Sequence, residues 1–332
     1  MTDTDFLTSE PGLYRIWFDL EVPSPIRVGA LGEIMFPEGR YAYTGSAKGG
    51  IRARVARHMR ADGPKRWHID YVLPHGRVIT VEAHPHAAVS ECVLSADPLA
   101  WPEVEIAAHR FGASDCRCAG HLIRMPRWMP VPLYADVRTP DGTAIRVRLL
   151  RPDDRELLGD YFTGLGERTR SRYGPHAFDR ATARAICDGL DPRDMLRIVA
   201  AVGEPAEAKL VAYLLVKLGI RESNGKRYAA LGIDLDPRAT AALAPSVADA
   251  WQNRGVASAV MPTLLAMARS VGVRRLVLWD GVIADNHLAQ GFYRKWGFVK
   301  VGEFMTSVLN YDMIAEIPET DGISPASPQA PA

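Results

Sequence analysis

The chain has 332 residues, of which 47% are apolar and 24% charged, and its net charge is +1. At about 150 residues per domain this length predicts two domains, and the composition excludes both extended disorder and a protein coated in basic residues. No apolar run reaches the roughly 18 residues a membrane-spanning helix needs, and four cysteines are too few for a disulfide framework.

The opening stretch carries Asp3, Asp5 and Glu10 and no cation, so it lacks the charged front of an export signal; the expected compartment is the cytoplasm. Tyr14, Ile16, Phe18, Leu20 and Val22 then alternate with Arg15, Trp17, Asp19 and Glu21, the pattern of a half-buried strand. A second strand ends near Phe36, Pro37-Glu38-Gly39 supplies turn chemistry, and Arg40 to Thr44 returns as a third. Helices are expected over 51–59 and 87–94. Pro126, Pro130, Pro132, Pro140 and Gly142 crowd one segment, which places the domain boundary in a Pro-rich linker at 127–143.

The second domain, 144–313, opens with a strand at 144–150 and a helix after Pro152-Asp153-Asp154, where acidic residues suit the helix dipole. Strands are expected at 196–202, 210–218, 228–233 and 243–249, followed by helix 256–270, strand 275–279, helix 286–295 and strand 298–304. The whole reads as an α+β chain, a small antiparallel sheet with helices followed by a larger mixed sheet. Residues 318–332, rich in Pro, Ser and Ala, are expected to form a flexible tail.

Within the second domain the most informative run is Trp251-Gln252-Asn253-Arg254-Gly255-Val256-Ala257-Ser258, between a strand and a helix. Backbone N–H groups at such a helix start converge where the dipole favours an anion, and pyrophosphate is the natural guest. Taken alone the run would be an ordinary helix cap. About thirty residues on, however, Asn286, Ala289, Tyr293, Gly297 and Phe298 form a second pattern. The pair resembles the acetyl-CoA loop and the N-x-x-A-x-x-x-Y-x-x-x-G-F segment of the GNAT acetyltransferases, over residues 144 to 313. Gln252, Gly255 and Ala257 fill the first motif, with Ala where Gly is commoner. The resemblance implies acetyl-CoA bound by Val247, Gln252, Arg254, Gly255, Val256, Ala257, Ser258 and Asn286, with pantetheine along the strand edge near Val247. It also implies that Tyr293 protonates the departing thiolate and that the acceptor is an amine; the alternative role for Tyr293 is packing on the sheet. Asp234, Asp249 and Asp280 near strand ends are open candidates for the general base.

In the first domain, Gly12-Leu13-Tyr14 and Tyr43-Thr44-Gly45 bracket the sheet, Arg54 and His58 share a helix face, and Glu91 lies on the later helix. This set resembles the GIY-YIG nucleases over residues 10 to 126, most closely a branch of unknown role sharing Tyr43-Thr44-Gly45-Ser46-Ala47, Arg57-His58, Trp67-His68-Ile69-Asp70-Tyr71 and Phe111-Gly112-Ala113-Ser114-Asp115-Cys116. The resemblance implies cleavage of DNA, with Glu91 holding a single Mg²⁺ or Mn²⁺, Tyr14 or Tyr43 helping to deprotonate the nucleophile, Arg54 holding phosphate, and His58 positioning Tyr43 or carrying a proton. The segment around Ser114-Asp115-Cys116 departs from the asparagine-bearing end of typical members.

Residues 48 to 66 hold seven cations (Lys48, Arg52, Arg54, Arg57, Arg60, Lys65, Arg66) against Asp62, a stripe beside Trp67 that could follow a phosphate backbone or simply face solvent. Cys116-Arg117-Cys118-Ala119-Gly120-His121, with Cys92 upstream, is not a standard zinc spacing. Residues at i and i+2 of a strand point to opposite faces, so Cys116 and Cys118 could share a metal only in a turn, and a metal held by Cys92, Cys116, Cys118 and His121 is left open. The resulting expectation is an acetyl-CoA-dependent N-acetyltransferase fused to a metal-dependent nuclease-like domain. Two alternatives stay open: the nuclease as the main activity with the acetyltransferase fold as sensor or scaffold, or a first domain that binds nucleic acid without cutting it.

Overall fold

Tyr14, Ile16 and Phe18 do line one face of a strand, β1 (Gly12–Leu20), and enter an apolar core. The other face is not solvated as the alternation predicts: Arg15 and Trp17 are completely buried and Asp19 nearly so. These polar groups are satisfied internally, Arg15 by Glu82 at 3.1 Å and Asp19 by Arg40 at 3.0 Å, because β1 is a central strand with cover on both sides. The computed structural model describes residues 7–318 except 61–62, 88, 102, 173–174 and 204–206. Most of the expected tail therefore lies outside the described residues.

Two units divide between Pro132 and Leu133. In the first, β1 is followed by β2 (Ser24–Arg27), β3 (Glu33–Phe36), β4 (Gly39–Ala47), α1 (Ile51–His58), α2 (Ile69–Val72), β5 (Arg77–Pro85), α3 (Glu91–Ala96), β6 (Glu105–Ile106) and β7 (Leu122–Met125). The antiparallel sheet has the order β5-β1-β4-β7-β6, and β2 and β3 form a separate hairpin. Ile51 and Val55 of α1 and Ile69 and Val72 of α2 pack on Tyr14, Ile16 and Phe18. The helix expected at 87–94 starts later, at Glu91, where Ser90 caps it by accepting the Val93 N–H.

The second unit begins earlier than its motifs indicate. Tyr134–Arg138, expected within a linker, is an edge strand, β8, paired with β9 (Ala144–Leu149). There follow α4 (Arg155–Gly164), α5 (Glu167–Ser171), α6 (Arg180–Asp188), β10 (Met195–Val202), β11 (Lys209–Leu218), α7 (Glu222–Ala230), β12 (Thr240–Val247), α8 (Val256–Ser270), β13 (Arg275–Leu278), β14 (Val282–Ile283), α9 (His287–Lys295), β15 (Val299–Met305) and β16 (Leu309–Glu316). The sheet runs β14-β16-β13-β12-β11-β10-β9-β8, with β15 paired to β16. It is antiparallel except for β12 beside β13. Leu210, Tyr213 and Leu215 enter a core built with α4 and α6, while α8 packs against β10, β11 and β12.

The expected strand at 228–233 is not formed; Tyr228 belongs to α7 instead. Side chains on successive turns of that helix find polar partners elsewhere: Asn224 donates to Leu278 O at 3.0 Å, Arg227 pairs with Asp312 at 3.0 Å, and Tyr228 donates to Met313 O at 2.9 Å. Those long-range bonds are invisible to local apolar periodicity.

Candidate functional sites

In the second unit β12 and β13 pair only from Thr240–Arg275 to Leu243–Leu278 and then part. Ala244 to Val247 remain paired to β11 on one side. Their other edge is therefore free of β13. The chain turns from that edge into α8, whose N-cap is Gly255 at φ +79° with no side-chain cap. An added Cβ at Gly255 would lie 2.5 Å from Pro140 Cδ, so close approach as well as φ requires glycine. The first N–H groups of α8 thus stand without a side-chain acceptor, a ready anion site.

The flanking side chains shape this loop. Gln252 Nε2 donates to Val247 O at 3.1 Å and to Thr169 Oγ1 at 3.0 Å, fastening the loop to the strand end. Arg254 lies over the Trp251 ring and is paired with Asp141 at 2.8 Å. Hydroxyls of Thr139 and Thr143 bond the same carboxylate and, with Arg254, hold it well below the usual carboxylate range. Val256 is buried, and Ser258 Oγ is 3.4 Å from Lys295 Nζ. Asn286 caps α9 by accepting the Ala289 N–H at 3.3 Å, and Gly297 at φ +80° lets the chain leave that helix. These positions thus carry helix-end geometry.

Tyr293 sits on α9 against Phe298, with burial pushing its phenol well above 10. Its hydroxyl has no hydrogen-bond partner among the described residues. Two candidate bases are committed to the framework: Asp249 accepts Gly166 N–H and Thr169 Oγ1, both at 2.8 Å, and Asp280 pairs with Arg221.

In the first unit Tyr14, Tyr43 and His58 converge. Tyr14 Oη is 2.7 Å from His58 Nε2, and the Tyr43 ring lies 6.1 Å from the imidazole and 6.3 Å from Tyr14. His58 Nδ1 is 2.6 Å from Asp70 Oδ1. Asp70 also accepts from Arg57 and from the N–H groups of Arg66 and Trp67. A carboxylate on Nδ1 fixes the tautomer, leaving Nε2 to accept the Tyr14 proton. Burial alone would raise the Asp70 pKa, but these bonds hold it well below the carboxylate range; burial lowers His58 below 6.5. Burial first, and Glu91 among the charges, pushes both phenols up. Both rings are deeply buried, at 1% and 4% exposure for Tyr14 and Tyr43. Arg54 stacks on Trp67 at 4.4 Å and makes no ion pair among the described residues, whereas Arg57 is spent on Asp70. Asp70 is the partner that motif reading assigned no role; a carboxylate twelve positions after a histidine carries no local signature.

Glu91 does not stand alone as a cation ligand, because its Oε1 is 2.7 Å from His121 Nδ1. The neighbouring cysteines meet the condition under which they could share a metal, a turn in place of a strand. Residues 113–119 form bends rather than a strand, so Cys116 and Cys118 are free to turn the same way. Their sulfurs, Cys92 Sγ and a His121 ring nitrogen all lie within 4.8 Å of one another.

The second unit thus has a mixed sheet split between two parallel strands, with an uncapped helix N-terminus at the end of the split. Residues 195–298 match the family model of the Acetyltransferase (GNAT) family, so this unit holds a GNAT acetyltransferase domain. Residues 13–137 match a model described as a domain of unknown function, DUF123. Among solved structures, the chain is similar to the GNAT domain of S. lividans PAT, with 22% identity, TM-score 0.45, and coverage of 56% of this chain and 98% of that one. It is also similar to a GNAT-family acetyltransferase from Streptococcus pneumoniae, at 17% identity, TM-score 0.38, and coverage of 52% and 99%. Mycobacterium smegmatis RimJ in complex with CoA-disulfide follows at 16% identity, TM-score 0.41, and coverage of 55% and 86%. No curated protein matches the chain. No helix among the described residues is long and apolar enough to cross a membrane.

Proposed function

We propose that the second unit transfers an acetyl group from acetyl-CoA to an amine. The observation that carries this reading is the β12 edge freed beyond Leu243, leading directly to the uncapped start of α8. The N–H groups of Val256, Ala257 and Ser258 would hold the pyrophosphate, and the free edge at 244–247 would pair with pantetheine amides. A neutral amine attacks the thioester carbonyl, the C–N bond forms, the C–S bond breaks, and the nitrogen sheds one proton to solvent, from which the acid is restored. Tyr293, kept neutral by burial and with its hydroxyl uncommitted, then supplies the thiolate's proton. Calorimetry with acetyl-CoA tests this site. Ser258→Asp adds charge at the phosphates without touching the glycine, and Gly255→Glu adds bulk as well. Both should weaken binding at least tenfold, and unchanged affinity in folded variants overturns the site.

A second reading concerns the first unit, where Tyr14, Tyr43, Arg54 and His58 are drawn from three elements and Glu91 acts electrostatically on both phenols. This grouping supports phosphodiester cleavage of DNA. Glu91 keeps Oε2 beside the Oε1 used by His121, and one carboxylate oxygen with waters and phosphate oxygens fits Mg²⁺ or Mn²⁺, which would neutralise phosphate charge. Tyr14, hydrogen-bonded to His58 Nε2, would take a proton from the attacking water as its own moves to the imidazole. The water oxygen bonds to phosphorus, the P–O ester bond breaks, the proton is returned to the leaving oxygen, and Arg54 would hold the phosphate. Cleavage of branched DNA in Mg²⁺, abolished in Glu91→Gln at unchanged zinc content, supports a nuclease. Salt-dependent binding without cleavage in any metal makes the unit a delivery module for the acetyltransferase, and neither outcome leaves the basic stripe as a solvated surface.

A further inference from the structure

Three of the four cysteines lie in the first unit, and all four are free thiols. Cys92 comes from the first turn of α3, Cys116 and Cys118 from the bends at 113–119, and His121 from the residue that leads into β7. The backbone holds this arrangement in several places. Arg110 at φ +62° takes Ala119 O on its N–H and Cys116 O on its guanidinium, both at 2.5 Å. An added Cβ at Gly120 would fall 2.7 Å from Ala108 O, so the chain can pass there only as glycine. His121 is fixed by its own backbone, accepting from Thr44 N of β4 at 3.0 Å and donating to Phe111 O at 2.7 Å.

Three sulfurs and one imidazole nitrogen within 4.8 Å of one another are close enough to share a single ion. With Zn–S near 2.3 Å and Zn–N near 2.0 Å, tetrahedral geometry puts sulfur and nitrogen about 3.5 Å apart. Cys116 Sγ and His121 Nε2 are separated by 3.5 Å. The imidazole is correctly disposed as well: Nδ1 faces Glu91 at 2.7 Å, which directs Nε2 to the sulfurs. A metal-bound histidine usually has such a carboxylate behind it, fixing tautomer and ring orientation.

We propose that Cys92, Cys116, Cys118 and His121 bind one zinc ion in a closed, structural Cys3His site, with Glu91 orienting His121. Thiolate-rich tetrahedral sites select zinc over the oxygen-seeking cations, and four protein ligands leave no position for catalysis. The ion would fasten the 107–121 segment to α3 and hold Glu91 in place beside the phenols. The site stands independently of the phosphodiester reading.

The full chain, purified under reducing conditions without chelator, should carry one zinc per molecule, and X-ray absorption should show three sulfurs near 2.3 Å and one nitrogen near 2.0 Å. Cys118→Ser and His121→Ala should lose the ion, Cys187→Ser should keep it, and Glu91→Gln should keep it with affinity lowered 10- to 100-fold. The wild-type measurements hold even if a ligand variant fails to fold. A metal-free chain that takes up neither added zinc nor cobalt overturns the proposal. So does iron or copper in place of zinc, a zinc spectrum without sulfur, or a disulfide among the three cysteines in the freshly reduced chain.

Discussion

Tyr14 stands directly across the β1–β4 ladder from Gly45, and a Cβ on residue 45 would lie 2.5 Å from the Tyr14 hydroxyl. The glycine is there for the phenol: with no side chain opposite it, Tyr14 lies over the backbone of β4 and reaches His58. Gly45→Ala should therefore displace the ring and cost about 1 to 3 kcal/mol, the usual scale of overpacking. Urea unfolding of the full chain, followed by pulse hydrogen exchange on β1 and β4 peptides, measures the loss. A cycle with Tyr14→Ala should be strongly non-additive, since removing the phenol removes the collision.

Asp70 sets the acid response of the same unit. Its pKa is depressed in the folded chain, so its contribution is present above the ordinary carboxylate value of about 4 and is lost as pH falls below that toward the folded value. His58, also depressed, is held neutral; the unfolded chain takes up that proton first, and stability begins to fall below about pH 6.5. Asp70→Asn should destabilise the unit by about 3 kcal/mol at pH 7, because Arg57 and His58 lose their shared partner, and should flatten the decline below pH 4. Unfolding midpoints of both proteins across pH 3 to 8 decide it.

Asp141 competes for Arg254 at the start of α8. Asp141→Ala frees that guanidinium and removes a negative charge near the proposed phosphate position, so acetyl-CoA should bind a few-fold more tightly at low salt. Arg254→Ala should bind more weakly. Both differences should shrink as ionic strength rises, as calorimetry over a salt series would record.

Tyr293→Phe should leave acetyl-CoA affinity and Tm unchanged, because the hydroxyl it removes is unpaired among the described residues. Turnover with an amine substrate should fall roughly 10² to 10⁴-fold, the scale of acid catalysis. Equal CoA release by both proteins would leave the ring with a packing role alone.

Motif spacing determined a good deal of this chain. The helix read over 256–270 is α8 residue for residue, Gly255 preceded it as the required turn, and the helix from about 286 to 295 with its closing Gly297 is α9. Such features depend on local chemistry, the positive φ of a glycine or the side chain of a cap, which neighbouring residues reveal. What only the tertiary structure decided are pairings across distance. Arg15 and Asp19 read as a solvated face because their partners Glu82 and Arg40 lie on other strands. Tyr228 read as strand because its hydrogen bond goes to β16. The C-x-C spacing left a shared metal open because the sequence does not say whether the chain turns at 113–119, nor that Cys92 and His121 arrive there from α3 and the edge of β7. A side chain's neighbours along the chain report its backbone preference; which charge, sulfur or carbonyl meets it is set when separate elements pack, and that information is distributed over the whole fold.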